Sequence, residues 1–162
     1  MNSHTDHAAP LAIHREQVRP EWVDYNGHLR DAFYLLIFSF ATDALMDYIG
    51  LDEAGRVRSH SSIYTLESHI NYLQEVKAGA EVRIETQLLG HDAKRLHIYH
   101  AMYLPGASEP VSVSEQMLLH VDMRGPRSAA FHPEVMARVQ EIATAHSRLP
   151  QPKYAGRVIR LP

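Results

Sequence analysis

At 162 residues, 45% hydrophobic and 22% charged, the chain is long enough for one well-buried domain, short for two, and too ordinary in composition for a disordered or collagen-like protein. The absence of cysteine removes disulfides, thiolate nucleophiles, zinc ribbons and iron–sulfur sites together, and a net charge of −3 offers no bulk attraction to nucleic acid or an anionic membrane. Twelve histidines are the unusual count.

Residues 1–10 read as a flexible arm, and the first twenty residues lack the apolar core of a signal peptide, so a cytoplasmic protein is expected. Leu11 to Val18 forms a weakly patterned first strand that Pro20 interrupts. An irregular segment, Glu21 to Asp31, then runs into the most apolar stretch, Ala32 to Gly50. At about 1.5 Å per residue that stretch is nearly long enough to cross a bilayer. Ser39, Asp43, Asp47 and Gly50, however, fall on one helical stripe, and two carboxylates there are costly in lipid. A helix buried on most sides, with a thin wet or interface-facing stripe, is the better reading. Asp31 is the expected N-cap and Gly50 the stop.

A charged loop, Asp52 to Ser59, follows, and then strands. Between Ser62 and Val76 the even positions Tyr64, Leu66, Ile70, Tyr72 and Val76 form an apolar face, and the odd ones are polar. Turns at Lys77-Ala78-Gly79, Gly90 to Ala93 and Pro105-Gly106 separate further strands at Glu81–Leu89, Arg95–Leu104 and Val111–Asp122. Pro133 suits a first helical turn, and Glu134 to His146 is a final helix. One strand, one long helix, a meander of four strands and a closing helix imply an α+β domain over residues 11–149, with a Pro-rich tail at 150–162. The architecture expected is the hotdog fold, a five-stranded antiparallel sheet wrapped around a long central helix. Such a sheet has a free edge, so pairing of two chains through an edge strand is expected.

Several chemistries are absent as motifs: no G-x-S-x-G elbow, phosphate-binding glycine loop, dinucleotide fingerprint or H-E-x-x-H occurs. His97 and His100, three apart in a strand, point to opposite faces and cannot clamp one metal, and no metal site is expected. The segment before the helix is the remaining candidate. Asp24, Asn26 and His28 lie within five residues on a loop entering a helix N-terminus. A carboxylate there sits beside free N–H groups able to stabilise an oxyanion, and can activate water or attack an acyl carbonyl. The same residues also suit a plain turn, with Asp24 and Asn26 capping it, Gly27 permitting the bend and His28 packing on the helix.

Val23-Asp24-Tyr25-Asn26-Gly27-His28-Leu29-Arg30-Asp31-Ala32-Phe33-Tyr34-Leu35 resembles the D-x-x-G-H-[VM]-N-N-x-x-Y-L signature of hotdog-fold acyl-CoA thioesterases, in the 4-hydroxybenzoyl-CoA thioesterase-like branch. Glu67 to Leu73 and Glu75 to Gly79 resemble that branch's second strand and glycine turn. The resemblance covers roughly residues 11–147; the departure is Arg30-Asp31, where the family usually has two asparagines. More narrowly, EWVDYNGHLRDAFYL, YTLESHINYL and EQMLLHVD are similar to the betainyl-CoA thioesterases of bacterial carnitine degradation.

The resemblance implies hydrolysis of a short acyl-CoA, betainyl-CoA to glycine betaine and CoA, without a cofactor. It makes Asp24 the catalytic carboxylate, as nucleophile or as base, and the first-turn N–H groups near Asp31 the carbonyl-polarising site. Asn26 and His28 become supporting residues. Glu67, His69 and Asn71, on one strand face, could complete a pocket across a subunit boundary. A trimethylammonium group calls for aromatic faces, from Trp22, Tyr25, Tyr64 or Tyr72. The phosphates of CoA call for basic residues, for which Lys94, Arg95, Arg124 and Arg127 are the candidates. The expected partners are an acyl-CoA and a second copy of the chain, as homodimer or dimer of dimers. Two rivals are a hotdog enoyl-CoA hydratase and a non-catalytic acyl-CoA-binding module. The hydratase motif D-x-N-P-[LIV]-H differs in having proline at the position of Gly27 and its histidine one residue later than His28.

Overall fold

The computed structural model describes residues 8–162; residues 1–7, with His4, His7 and most of the expected N-terminal arm, lie outside the described residues. In chain order the elements are β1 (Leu11–Gln17), a 3₁₀ turn (Pro20–Trp22), α1 (Asp31–Tyr48), α2 (Glu53–Ser59), β2 (Ser61–Tyr72), β3 (Glu81–His91), β4 (Arg95–Tyr103), β5 (Ser112–Asp122), the two-residue β6 (Arg127–Ser128) and α3 (Pro133–His146). Five long antiparallel strands lie in the order β1-β3-β4-β5-β2 and wrap around α1, which is the α+β hotdog arrangement expected from the sequence.

α1 is a helix because its apolar positions recur on a broad face. Tyr34, Ile37, Phe38, Ala41, Leu45 and Met46 are buried, whereas Ser39, Asp43 and Asp47 remain exposed. The first half of that face meets Val82, Ile84 and Met102 of the sheet. The second half meets Leu88, Ile98 and Leu118, and α3 closes this end with Val135, Val139 and Ile142. Phe38 is fully buried at the centre, where truncation to alanine costs about 3–5 kcal/mol. Among the described residues no single helix is long and apolar enough to cross a membrane.

Four local expectations need correction. The charged stretch Asp52 to Ser59 contains α2, a short helix that Asp52 caps by accepting from the Gly55 N–H at 2.8 Å. The strands after α1 do not form a simple meander, because β2 pairs with β5 and leaves the 73–80 segment to cross to β3. That crossing is held by the loop ahead of α1: Leu29 N–H donates to Val76 O (2.7 Å) and Val18 N–H to Ala80 O (2.9 Å). The single apolar face expected along β2 is broken by a bulge between Thr65 and Glu67. One extra residue reverses the alternation, so Ile63 and Ile70 both face the core while Tyr64 and Leu66 are exposed. Asp31, finally, is not the N-cap of α1. Arg30 holds that position in an extended conformation without a side-chain capping bond, and Asp31 is already in the first turn.

The C-terminal residues cross the outer face of the sheet. Gln87 Nε2 donates to Pro150 O at 3.2 Å, Tyr154 and Ala155 pack on Tyr99, Ala101 and Val113, and the Gly156 N–H donates to Glu115 Oε2 at 2.7 Å.

Candidate active site

The segment between the 3₁₀ turn and α1 is a tight hairpin. Asp24 N–H donates to His28 O (2.9 Å), Gly27 N–H to Asp24 O (2.9 Å) and Arg30 N–H to Trp22 O (3.0 Å). Gly27 makes the bend at φ 76°, a conformation that costs glycine little and other residues more. The Asp24 side chain holds the turn together, Oδ1 accepting from the N–H groups of Asn26 (2.9 Å) and His28 (3.2 Å). Both bonds fall on Oδ1. The capping role that the sequence allowed is therefore real, and it leaves Oδ2 for chemistry.

The hairpin delivers the chain into the N-terminus of α1, where the helix's unspent N–H groups carry partial positive charge. Asp31 Oδ1 takes one of them, the Ala32 N–H at 2.9 Å. The end of β2 joins this region: Tyr72 donates its hydroxyl to Asp31 O (3.1 Å) and meets the Tyr34 ring edge-on at 5.2 Å. Tyr34 donates to Gln74 O (3.3 Å), and His28 Nε2 lies 3.3 Å from Glu75 Oε2. Burial raises the Tyr34 phenol above its ordinary value, with the nearby Glu75 carboxylate and Tyr72 adding to the rise. Asp24, Asp31, Glu75, Tyr34 and Tyr72 thus make an anionic, tyrosine-rich end.

The other candidates divide by position. Asn26 is exposed and contributes its backbone N–H to the turn. His28 supports Asp24 through its backbone, while its ring turns to Glu75. Tyr25 is 92% exposed beside Asp24, with its ring free. Trp22 offers no such face: it is 5% exposed, stacked on Phe33 at 5.9 Å, with the Arg19 guanidinium over its ring at 4.9 Å. The expectation that Trp22 presents an aromatic face to substrate fails because the ring is a core residue. Tyr64 lies on the outer sheet face, its hydroxyl 3.4 Å from Met123 Sδ, away from the loop.

Glu67, His69 and Asn71 do share one face of β2, but it is the outer face, opposite α1. Glu67 and His69 border a cavity of about 240 Å³ with His97 and Glu115, and His97 Nε2 pairs with Glu115 Oε1 at 2.7 Å. Within one chain they do not join the Asp24 hairpin. Lys94, Arg95, Arg124 and Arg127 converge at the far end of the sheet, where β3–β4 and β5–β6 turn. Lys94 Nζ donates to Ser128 Oγ (3.2 Å), while Arg95 and Arg124 pair with Asp92 (2.6 Å) and Asp122 (2.7 Å). Hydrogen bonds from those two guanidinium groups hold both carboxyls well below the usual carboxylate range. Nothing local in the sequence points to Gln74 and Glu75, because only the crossing of 73–80 brings them to the hairpin, where they meet Tyr34 of the first turn of α1 and His28.

A curled five-stranded antiparallel sheet around one helix, with a carboxylate hairpin at that helix's N-terminus, defines a thioesterase of the hotdog type. Residues 18–139 match the family model described as the thioesterase-like superfamily, and the chain belongs to that superfamily. It is 62% identical over 152 residues to a protein of Pseudomonas aeruginosa named betainyl-CoA thioesterase, covering 94% of this chain and 96% of that one. It is 46% identical to an L-carnitine dehydrogenase/betainyl-CoA thioesterase of Agrobacterium fabrum, covering 93% of this chain but 31% of that longer protein. Among solved structures, a candidate thioesterase of Pseudomonas putida KT2440 aligns with a TM-score of 0.83 and 51% identity, covering 94% of this chain and 97% of that one. A hypothetical protein of Staphylococcus aureus, solved in complex with CoA, aligns with a TM-score of 0.87 and 25% identity, covering 95% and 98%.

Proposed function

We propose that the protein hydrolyses the thioester of betainyl-CoA, releasing glycine betaine and free CoA, in the cytoplasm and as a homodimer. The observation that carries this reading is the Asp24 carboxylate. It is anchored through one oxygen at the N-terminus of α1, in a chain 62% identical over nearly its full length to a protein named betainyl-CoA thioesterase.

The thioester carbonyl lies against the first turn of α1, whose N–H groups and dipole favour the developing oxyanion. Asp24 Oδ2 then attacks the carbonyl carbon, or activates the water that does, and the C–S bond breaks with CoA leaving as thiolate; in the first case a water then cleaves the resulting anhydride, releasing the acid and restoring the Asp24 carboxylate. Asp24, Asp31 and Glu75, with the exposed rings of Tyr25 and Tyr72, form surroundings suited to a trimethylammonium acyl group. The basic residues for the CoA phosphates sit at the other end of β2, about 36 Å away at the rise of an extended strand. β2 is an edge strand with exposed Leu66 and Tyr72. Antiparallel pairing of two such edges about a two-fold axis sets the Ser61 end of one chain beside the Tyr72 end of its partner. One protomer's carboxylate hairpin then faces its partner's basic end, and each working site takes parts from both chains.

The test is release of free thiol from a panel containing betainyl-CoA and its uncharged carbon isostere, 3,3-dimethylbutyryl-CoA. Two cation–π contacts at about 0.5–1 kcal/mol each predict a preference for the cation of roughly 10-fold in kcat/KM. No thiol from any CoA ester ends the enzymatic reading. Equal turnover of the isostere ends the substrate assignment alone.

A further inference from the structure

The outer face of the sheet, opposite α1, carries a second chemically distinctive hollow. A cavity of about 290 Å³ lies between the β3–β4 surface, the β4–β5 loop and the C-terminal segment that crosses them. That volume is at the low end of small-molecule sites. Tyr99, Tyr103 and Tyr154 line it, with the carboxylates of Glu85 and Glu109. Burial raises the Tyr103 phenol, and both Glu85 and Glu109 push it further up, so the two carboxylates bear on one ring.

The tyrosine faces here already attract cations. The Arg83 guanidinium stands 4.6 Å above the Tyr103 ring and pairs with Glu85 at 3.3 Å. Lys153 Nζ stands 5.3 Å from the Tyr154 ring. Glu109, in contrast, makes no salt bridge among the described residues. The hollow therefore presents aromatic walls, one carboxylate, Glu109, without a salt bridge among the described residues and an exposed lysine, Lys153, on the C-terminal segment.

We infer that this cavity binds a small zwitterion bearing a quaternary ammonium, its methylated cation against Glu109 and the Tyr103 ring and its carboxylate toward Lys153. A methylated ammonium suits such walls because it is weakly hydrated and offers no N–H, so ring faces and a carboxylate serve it better than hydrogen-bond acceptors do. The choice of glycine betaine as the ligand rests on the proposed function; the cavity and its chemistry do not.

Isothermal titration of the full chain with glycine betaine, and separately with 3,3-dimethylbutyrate, tests it. Glycine betaine is expected to bind, the uncharged isostere at least 10-fold more weakly. Glu109→Gln and Tyr103→Leu are each expected to weaken betaine at least 10-fold while leaving betainyl-CoA hydrolysis unchanged. Glu109 is on a loop, so its variant keeps the question open should Tyr103→Leu fail to fold. No betaine binding, equal binding of the isostere, or wild-type affinity in Glu109→Gln overturns the assignment. Betaine binding that Glu109→Gln abolishes, in a protein inert toward betainyl-CoA, upholds the cavity and removes the proposed substrate instead.

Discussion

On the proposed mechanism Asp24 carries two jobs on one side chain, and its two oxygens separate them. Oδ1 holds the hairpin through the Asn26 and His28 N–H groups, and Oδ2 is left to act. Asp24→Asn keeps an oxygen acceptor for the turn and removes only the charge. It is expected to lower turnover by about 10²–10⁴-fold with the melting temperature nearly unchanged, read by thiol release and circular dichroism. Asp24→Ala loses the turn bonds as well and is expected to destabilise the fold by about 1 kcal/mol. A second residue sets a pH limit. His100 is fully buried between Thr42 (3.0 Å) and Thr86 (2.7 Å), lies parallel to the Phe38 ring, and burial drives its pKa down to about 3. The unfolded chain binds a proton at this group near pH 6.5 and the folded chain does not, so stability is complete above 6.5 and falls as pH drops toward 3. His120 and His146, also lowered by burial, act in the same direction. Denaturant midpoints measured across that range are expected to fall with acidification, less steeply in His100→Gln. The Asp24 turn was legible in sequence because carboxylate, glycine and helix start are neighbours along the chain. Trp22 misled because an aromatic beside a motif looks the same whether its faces are free or stacked.

At the scale of elements, β2 decides most. Its bulge at Leu66 turns Glu67, His69 and Asn71 outward and leaves an apolar, unpaired edge. For the proposed β2-edge dimer, Leu66→Glu is expected to give a monomer in light-scattering chromatography and to lower betainyl-CoA turnover with it, because the two ends of each proposed site then separate. α2 offers a purely structural contrast. Gly55 packs so closely that a Cβ would drive into the Gly50 carbonyl oxygen, which a short helix cannot yield to. Gly55→Ala is expected to cost about 3 kcal/mol, whereas loss of the cap in Asp52→Ala costs about 1 kcal/mol, both read from denaturant midpoints. Neither α2 nor the bulge was legible. Seven residues with two arginines and an internal glycine look like loop, and alternation counted along β2 carries no mark of the residue that interrupts it.

For the molecule as a whole, the separation of charges along β2 is the organising fact. The carboxylate hairpin and the tyrosines occupy one end, and Lys94, Arg95, Arg124 and Arg127 the other. The sequence by itself determined the α+β class, the buried central helix with its wet stripe, the strand content and the Asp24 hairpin. Each of these is written in short-range terms: helical or alternating periodicity, a glycine bend and an adjacent helix start. Only the tertiary structure decided which strands are neighbours, that β2 lies at an edge beside β5, and that residues 73–80 bring Tyr72 and Glu75 to the hairpin. Those outcomes depend on which apolar face finds which partner across dozens of residues. Local pattern constrains that choice only weakly, whereas burial around α1 selects one solution.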